Sequence, residues 1–179
     1  MSIDDPTPIP SPMAGVAPGP DLTPAGPQRI FLVVVDETEE MTVALHYAAR
    51  RARSTGGRVA LLHCIEPGDF QHWAAVEDLM RQERREEAEQ LLQRLARDVV
   101  DICGSPPAIY LREGDTRDEL LALIAEEPSI SILVLAAGTD TAGPGPLITH
   151  IVGKMSGTLR IPITIVPGSL NDLQLDAIT

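Results

Sequence analysis

The stretch IFLVVV (30–35), followed by the acidic turn DETEE (36–40), decides the fold. Six consecutive apolar residues with no polar alternation suit a strand buried on both faces, the kind found inside a parallel sheet. Working outward, ISILVLAA (130–137) repeats the pattern, and VALLHCI (59–65), AIYL (108–111) and ITIV (163–166) supply three further strand candidates. The segments between them have helical periodicity. Met41, Ala44, Leu45, Ala48 and Ala49 mark a helix over about 39–54, stopped by Gly56-Gly57. A long helix over about 70–101 carries Trp73, Val76, Met80, Ala88, Leu91, Leu92, Leu95 and Val99 on one side. Its charged run RQERREEAEQ (81–90) has the mixed signs of a solvated helix face. Leu120, Leu121, Leu123 and Ile124 mark a third helix that stops near Pro128. A fourth spans 146–160, with Leu147, Ile151, Met155 and Leu159 at steps of four and Ile148 and Val152 beside them.

Five strands alternating with helices imply parallel strands joined by right-handed crossovers, hence an α/β three-layer sandwich. If the chain winds outward from the first strand and then returns to its other side, the order is 3-2-1-4-5. The first and fourth strands are then neighbours at the point where the order reverses. Ligands of open α/β sheets bind there, outside the carboxyl ends of the strands.

Composition bounds what such a site can serve. The chain has 179 residues, 14 Lys+Arg against 26 Asp+Glu, and a formal net charge of −12. That balance opposes counterion-release binding to nucleic acid and attraction to anionic lipid, so neither nucleic acid nor membrane is expected as a partner. Apolar residues make up 44 %, enough for a core, but aromatics only 3 %, so the core must be aliphatic. No apolar run approaches the roughly 20 residues of a bilayer-spanning helix, and MSIDDPTPIP (1–10) lacks the features of a secretory signal. A cytoplasmic location is expected. Residues 1–28 hold eight of the sixteen prolines and form an expected disordered leader. Residues 29–168 form the domain, and 169–179 a short, polar, loosely docked tail.

Cys64 and Cys103 are the only cysteines. Both are expected to be reduced, with Cys64 a small core residue. His63 and Cys64 are adjacent on a strand and leave opposite faces, and no metal-ligand spacing links them to His46, His72 or His150, so no metal is expected.

The candidate site is built from Asp36, at the exit of the first strand, and Gly138, at the exit of the fourth, with the loop TDTAGPGP (139–146) beyond it. Gly143 and Gly145 could let backbone approach a ligand closely, and a helix starting near Pro146 would offer free N–H groups. The same loop could equally be a turn that only reverses the chain. Asp36 could cap the helix starting near Glu39, bond a ribose, or hold a metal-bridged phosphate. With Glu37, Glu39 and Glu40 it places four acids near the cleft, which would repel a polyphosphate unless a divalent cation intervened. No G-x-G-x-x-G or G-K-[ST] sequence and no nucleophile–base pair is visible, so no catalytic residue is assigned.

Several of these strings, in this order, resemble the universal stress protein (UspA-type) family. They are IFLVVVDETEE (30–40), ALHYAARRARSTGGRVALLHCIEP (44–67), REGDTRDELLALI (112–124), ISILVLAAG (130–138) and IPITIVPG (161–168). The resemblance covers roughly Arg29 to Pro167. It implies a Rossmann-like fold of order 3-2-1-4-5, a stress-response role without enzymatic turnover, and a homodimer made through the fifth strand. It also implies a nucleotide site in those members that carry G-x2-G-x9-G-[ST] after strand four.

Here Gly138 matches the first glycine, but Thr141 stands where the second is expected and Thr149-His150 where the Gly-Ser/Thr pair would fall. An alternative register, Gly143-x9-Gly153, places Lys154 at the hydroxyl position. The expectation is a dimeric stress protein with a degraded nucleotide motif, its mouth too cramped for a triphosphate, acting through protein contacts and with no cofactor. The alternative is an adenine-nucleotide switch or slow ATPase that takes ATP or AMP, with Mg²⁺, through Asp36, Gly114, Gly138, Gly143 and Gly145.

Overall fold

The computed structural model describes residues 28–67, 74–139, 143–155 and 157–179. The proline-rich leader, Trp73 and Thr141 lie outside the described residues, as does the side chain of Val76.

Five parallel strands form one sheet in the order β3-β2-β1-β4-β5. They are β1 (Ile30–Val34), β2 (Arg58–Ile65), β3 (Ala108–Glu113), β4 (Ile130–Ala137) and β5 (Ile163–Pro167). The helices are α1 (Glu39–Thr55), α2 (Ala74–Cys103), α3 (Thr116–Glu126), α4 (Pro146–His150) with a π-turn over Ile151–Met155, and α5 (Asp172–Ile178). This is the Rossmann-like order expected from sequence.

Alternation along the strands splits the core into two layers. Phe31, Val33 and Val35 join Val59 and Leu61 in packing beneath α1 and α2. Leu32 and Val34 join Ala60, Leu62, Leu133 and Leu135 in packing beneath α3 and the Ile148–Ile151 turn. Burial on both faces explains why β1 is an unbroken apolar run and β4 one interrupted by Ser131 alone. The sheet's central register pairs Val33 with both Leu61 and Val134. A shift between Ile30 and Phe31 leaves Ser131 without a Cα partner on β1.

Four elements differ from their sequence-based limits. β3 runs on through Arg112 and Glu113. As an edge strand it carries charged residues in the ladder, where they form ion pairs with α3 and α2. α2 continues to Cys103, past the expected Asp101. The helix expected over 146–160 holds α geometry only to His150 before the π-turn. Gly153 and Gly157 lie in that segment and lower its helix propensity, and apolar steps of four do not by themselves distinguish an α turn from a wider one.

The C-terminal residues expected as a loosely docked tail instead form α5. Asn171 and Gln174 close a capping box, and Leu175 sinks into the α1 layer at 1 % exposure. Arg50 on α1 reaches Asp172 and Asp176, each at 2.8 Å.

Candidate functional site

The β1–β4 neighbourhood opens at its carboxyl end into a cavity of about 860 Å³. Asp36, Gly138, Gly143 and Gly145 all line it, so four of the five residues singled out from sequence meet in one place. Gly114 does not join them. It borders a separate cavity of about 150 Å³ with Glu66 and Arg81, and its N–H donates to the Ile65 carbonyl at 3.1 Å.

One wall of the cleft is the β1–α1 turn. Asp36 is exposed and does not cap α1. Its Oδ1 accepts from the Thr38 amide at 2.9 Å and from the Thr38 hydroxyl at 2.6 Å. Thr38 is the cap, accepting from the Met41 amide at 3.3 Å. Asp36 thus orients the capping residue through an Asx-type turn, two residues upstream of the cap. Among the described residues, the other Asp36 oxygen makes no hydrogen bond.

Glu40, in the first turn of α1, crosses to the fourth-strand exit. Its Oε1 accepts from the Thr139 amide at 3.3 Å and from the Thr139 hydroxyl at 3.4 Å. Hydrogen bonds from backbone amides, its own first and then that of Thr139, hold the Glu40 carboxyl below its ordinary pKa. Gly168, just past β5, lets this carboxylate pass. A Cβ there would overlap Glu40 Cγ and lie 2.7 Å from Glu40 Cβ.

The opposite wall is the loop and helix after β4. Gly143 and Gly145 sit at φ 101° and 99°, a region L side chains adopt only under strain, so glycine is required for this path. The Gly143 carbonyl lies 3.1 Å from where a Gly138 Cβ would be, so the two glycines let the loop fold back on the strand exit. Arg117 and Lys154 add cationic side chains to this cavity, and His150 adds an imidazole. Arg117 is already paired with Asp115 at 3.0 Å, an interaction that holds the Asp115 carboxyl down at about 2. The α4 segment is too short to act as a helix dipole, and Pro146 at its start has no N–H, so the expected set of free amides is reduced.

The expectation of a mouth too cramped for a triphosphate rests on Thr141 and so falls outside the described residues of the cleft. The volume of the cleft lies within the roughly 300–1,000 Å³ of small-molecule sites.

A second cavity of about 730 Å³ lies on the α1–α2 face of the same strand ends and shares Asp36 and Thr38 with the cleft. His63 borders it, its Nδ1 hydrogen-bonded to the Val35 carbonyl at 2.9 Å. Cys64 is half-buried rather than a full core residue, and packs against the α3 layer. Burial, then the charge of Glu119, pushes its thiol up to about 11, so it stays protonated and is a poor nucleophile near neutrality. Among the described residues, no group of three or more His, Cys, Asp or Glu is arranged to hold a metal ion. No helix among them is long and apolar enough to cross a membrane.

The model of the universal stress protein family matches residues 28–167. The chain belongs to the universal stress protein family. Its β1, β4 and intervening crossovers are therefore the family's own, and α5 lies beyond the matched residues.

No curated protein matches the chain. Among solved structures it is similar to the universal stress protein UspA from Lactobacillus plantarum, at 17 % identity and a TM-score of 0.64, covering 79 % of this chain and 99 % of that one. It is also similar to a universal stress protein family member from Burkholderia pseudomallei, at 18 % identity and a TM-score of 0.59, covering 77 % and 95 %. A family protein from Arabidopsis thaliana with AMP bound shares 15 % identity at a TM-score of 0.52, covering 79 % and 92 %. At such identities the likeness is one of fold.

Reading the sequence alone missed the Glu40–Thr139 crossing, the clearance at Gly168 and the place of Arg117 in the cleft wall. Gly168 was visible as the glycine after Pro167, but its role depends on which helix packs over it. Arg117 follows the glycine–aspartate pair at the exit of β3, and only the chain path carries it across to the β4 side.

Proposed function

We propose that this universal stress protein is a non-enzymatic nucleotide-binding protein that takes an adenine nucleotide in the β1–β4 cleft and signals occupancy through protein contacts. The observation that carries the reading is the cleft itself. A cavity of about 860 Å³ stands where ligands of open α/β sheets bind, with Asp36 on one wall and Gly138, Gly143 and Gly145 on the other. The AMP bound to the Arabidopsis thaliana relative supports the ligand class. Asp36, with one oxygen engaged by Thr38, is suited to accept from ribose hydroxyls through the other. The glycine loop brings backbone to the phosphate side.

In this reading the departure from G-x2-G-x9-G-[ST] alters the site rather than abolishing it. A mononucleotide suits the acidic rim better than a triphosphate, which would require Mg²⁺ to offset Asp36, Glu37 and Glu40. The binding unit is 29–168, with α5 docked onto its α1 layer, and it works in the cytoplasm. The homodimer forms through β5, the sheet's outer strand, where Ile165 is 41 % exposed and the backbone edge would otherwise be left unpaired.

The test is a thermal-shift series with adenosine, AMP, ADP and ATP, with and without Mg²⁺. A ligand at 100 times its Kd stabilises by about 2.7 kcal/mol, which for a domain of this size raises Tm by roughly 5–10 °C. A clear shift with AMP is the expected result. No shift with any of these at millimolar concentration overturns the reading.

A further inference from the structure

We infer that the phosphate of the bound nucleotide is held by side-chain N–H donors, the Lys154 ammonium from the π-turn after α4 and the His150 imidazole from the end of α4. This rests on the reading of the cleft as a nucleotide site and specifies how that site recognises an anion.

The backbone around Ile151–Met155 bonds in the i→i+5 pattern of a π-turn. Such a turn winds the chain more widely than an α-helix and so shifts the directions of Val152 and Lys154 relative to Thr149 and His150 in α4. Continued as an α-helix at 3.6 residues per turn, Lys154 would sit about 140° round from Thr149. The same rotation turns Val152 outward, leaving it 44 % exposed although its spacing suits the apolar face. The wider turn exposes an apolar residue to solvent and brings a lysine to the cavity, where His150 and Thr149 also stand. π-turns concentrate at functional sites because they place side chains that regular helix cannot.

Neighbouring groups favour an anion at this end. The Thr149 hydroxyl donates to the Gly145 carbonyl at 2.9 Å and so is already engaged. Arg117 is committed to Asp115. Lys154 is exposed and, among the described residues, makes no ion pair. Asp36 and Glu40 occupy the facing β1–α1 wall, so the cavity is polarised, carboxylates on one side and the Lys154 ammonium with the His150 imidazole on the other. A ligand with hydroxyls at one end and a phosphomonoester at the other matches that polarity. Because the recognition is by a flexible point charge and an imidazole N–H, it selects a phosphate anion rather than a base or sugar.

The experiment is calorimetric titration of AMP and of adenosine into the wild-type chain and into Lys154→Ala, His150→Ala and Lys154→Arg variants. Charge-assisted hydrogen bonds to phosphate lead us to expect AMP affinity to fall about tenfold in Lys154→Ala, less in His150→Ala, and to recover in Lys154→Arg. Adenosine affinity should stay unchanged in all of them, which separates lost anion recognition from a distorted cleft. Wild-type binding of AMP with less than about a twofold change in both alanine variants overturns the assignment and leaves the nucleotide reading standing. Equal losses for AMP and adenosine also overturn it. Failure of the wild type to bind either ligand overturns both.

Discussion

α3 and α4 lie on the same face of the sheet, yet they are built to opposite standards. α3 is fixed at both ends. The Asp115 side chain caps it by accepting from the amides of Arg117 and Asp118 at 3.0 and 3.3 Å. At its carboxyl end the Arg160 guanidinium donates to the carbonyls of Ile124, Glu127, Pro128 and Ile130. Leu120 and Leu123 beneath it are fully buried. α4 starts at Gly145 with no side-chain cap, lasts five residues and widens into a π-turn. The difference separates scaffold from working wall: one helix sets the sheet's geometry, while the other keeps a loosely specified backbone beside the cleft. Segments that bind and rearrange are drawn from the low-stability end of a fold.

The largest test of that contrast deletes core volume from each helix. Leu123→Ala should cost about 3 kcal/mol in urea unfolding, because its methyl groups leave a cavity in a layer that cannot collapse. Leu147→Ala, at a half-buried position in α4, should cost about 1 kcal/mol or less. Equal costs would break the contrast. Arg160→Ala should come next, at about 2 kcal/mol, since the carbonyls at the end of α3 lose a charged donor.

Gly153→Ala should act in the reverse direction. Nothing lies within 4 Å of the added Cβ, and replacing glycine favours regular helix by about 0.5–1 kcal/mol. The variant should be slightly more stable and bind AMP more weakly, as the π-turn gives way to α geometry.

The smallest effect is in acid. Asp115 has a folded pKa lowered from 3.8 to about 2, so its contribution is present above its ordinary pKa and is lost as pH falls from there towards about 2. Asp115→Asn keeps a capping side chain without the titration. Its Tm should therefore decline less steeply than the wild type's over that window, and parallel curves would remove the Asp115 charge from the account of α3.

The same contrast explains how much of this molecule was legible in its sequence. IFLVVV and ISILVLAA are strands because such short apolar runs rich in β-branched residues suit a buried strand better than a helix, and once they are parallel neighbours Asp36 and Gly138 must meet at their exits. Local rules carried those steps. The end of α4 was not legible, because apolar steps of four suit both an α turn and the observed wider one. α5 was hidden because one buried leucine and a capping box in a polar segment carry little periodic signal, and its docking depends on Arg50, over a hundred residues away in the chain. Gly114 shares the glycine-at-strand-exit signature of Gly138 but leaves β3, which has two strands between it and β4, and so opens onto another cavity.

The central claim is that the β1–β4 cleft receives a nucleotide. Its most direct test is an amide NMR titration of the labelled chain with AMP. The account predicts saturable shifts at Asp36, Gly138, Gly143, Gly145 and Lys154, with Gly57 and Gly104 unmoved at the sheet's opposite end. Shifts confined to residues outside the cleft, or none at millimolar AMP, would contradict it.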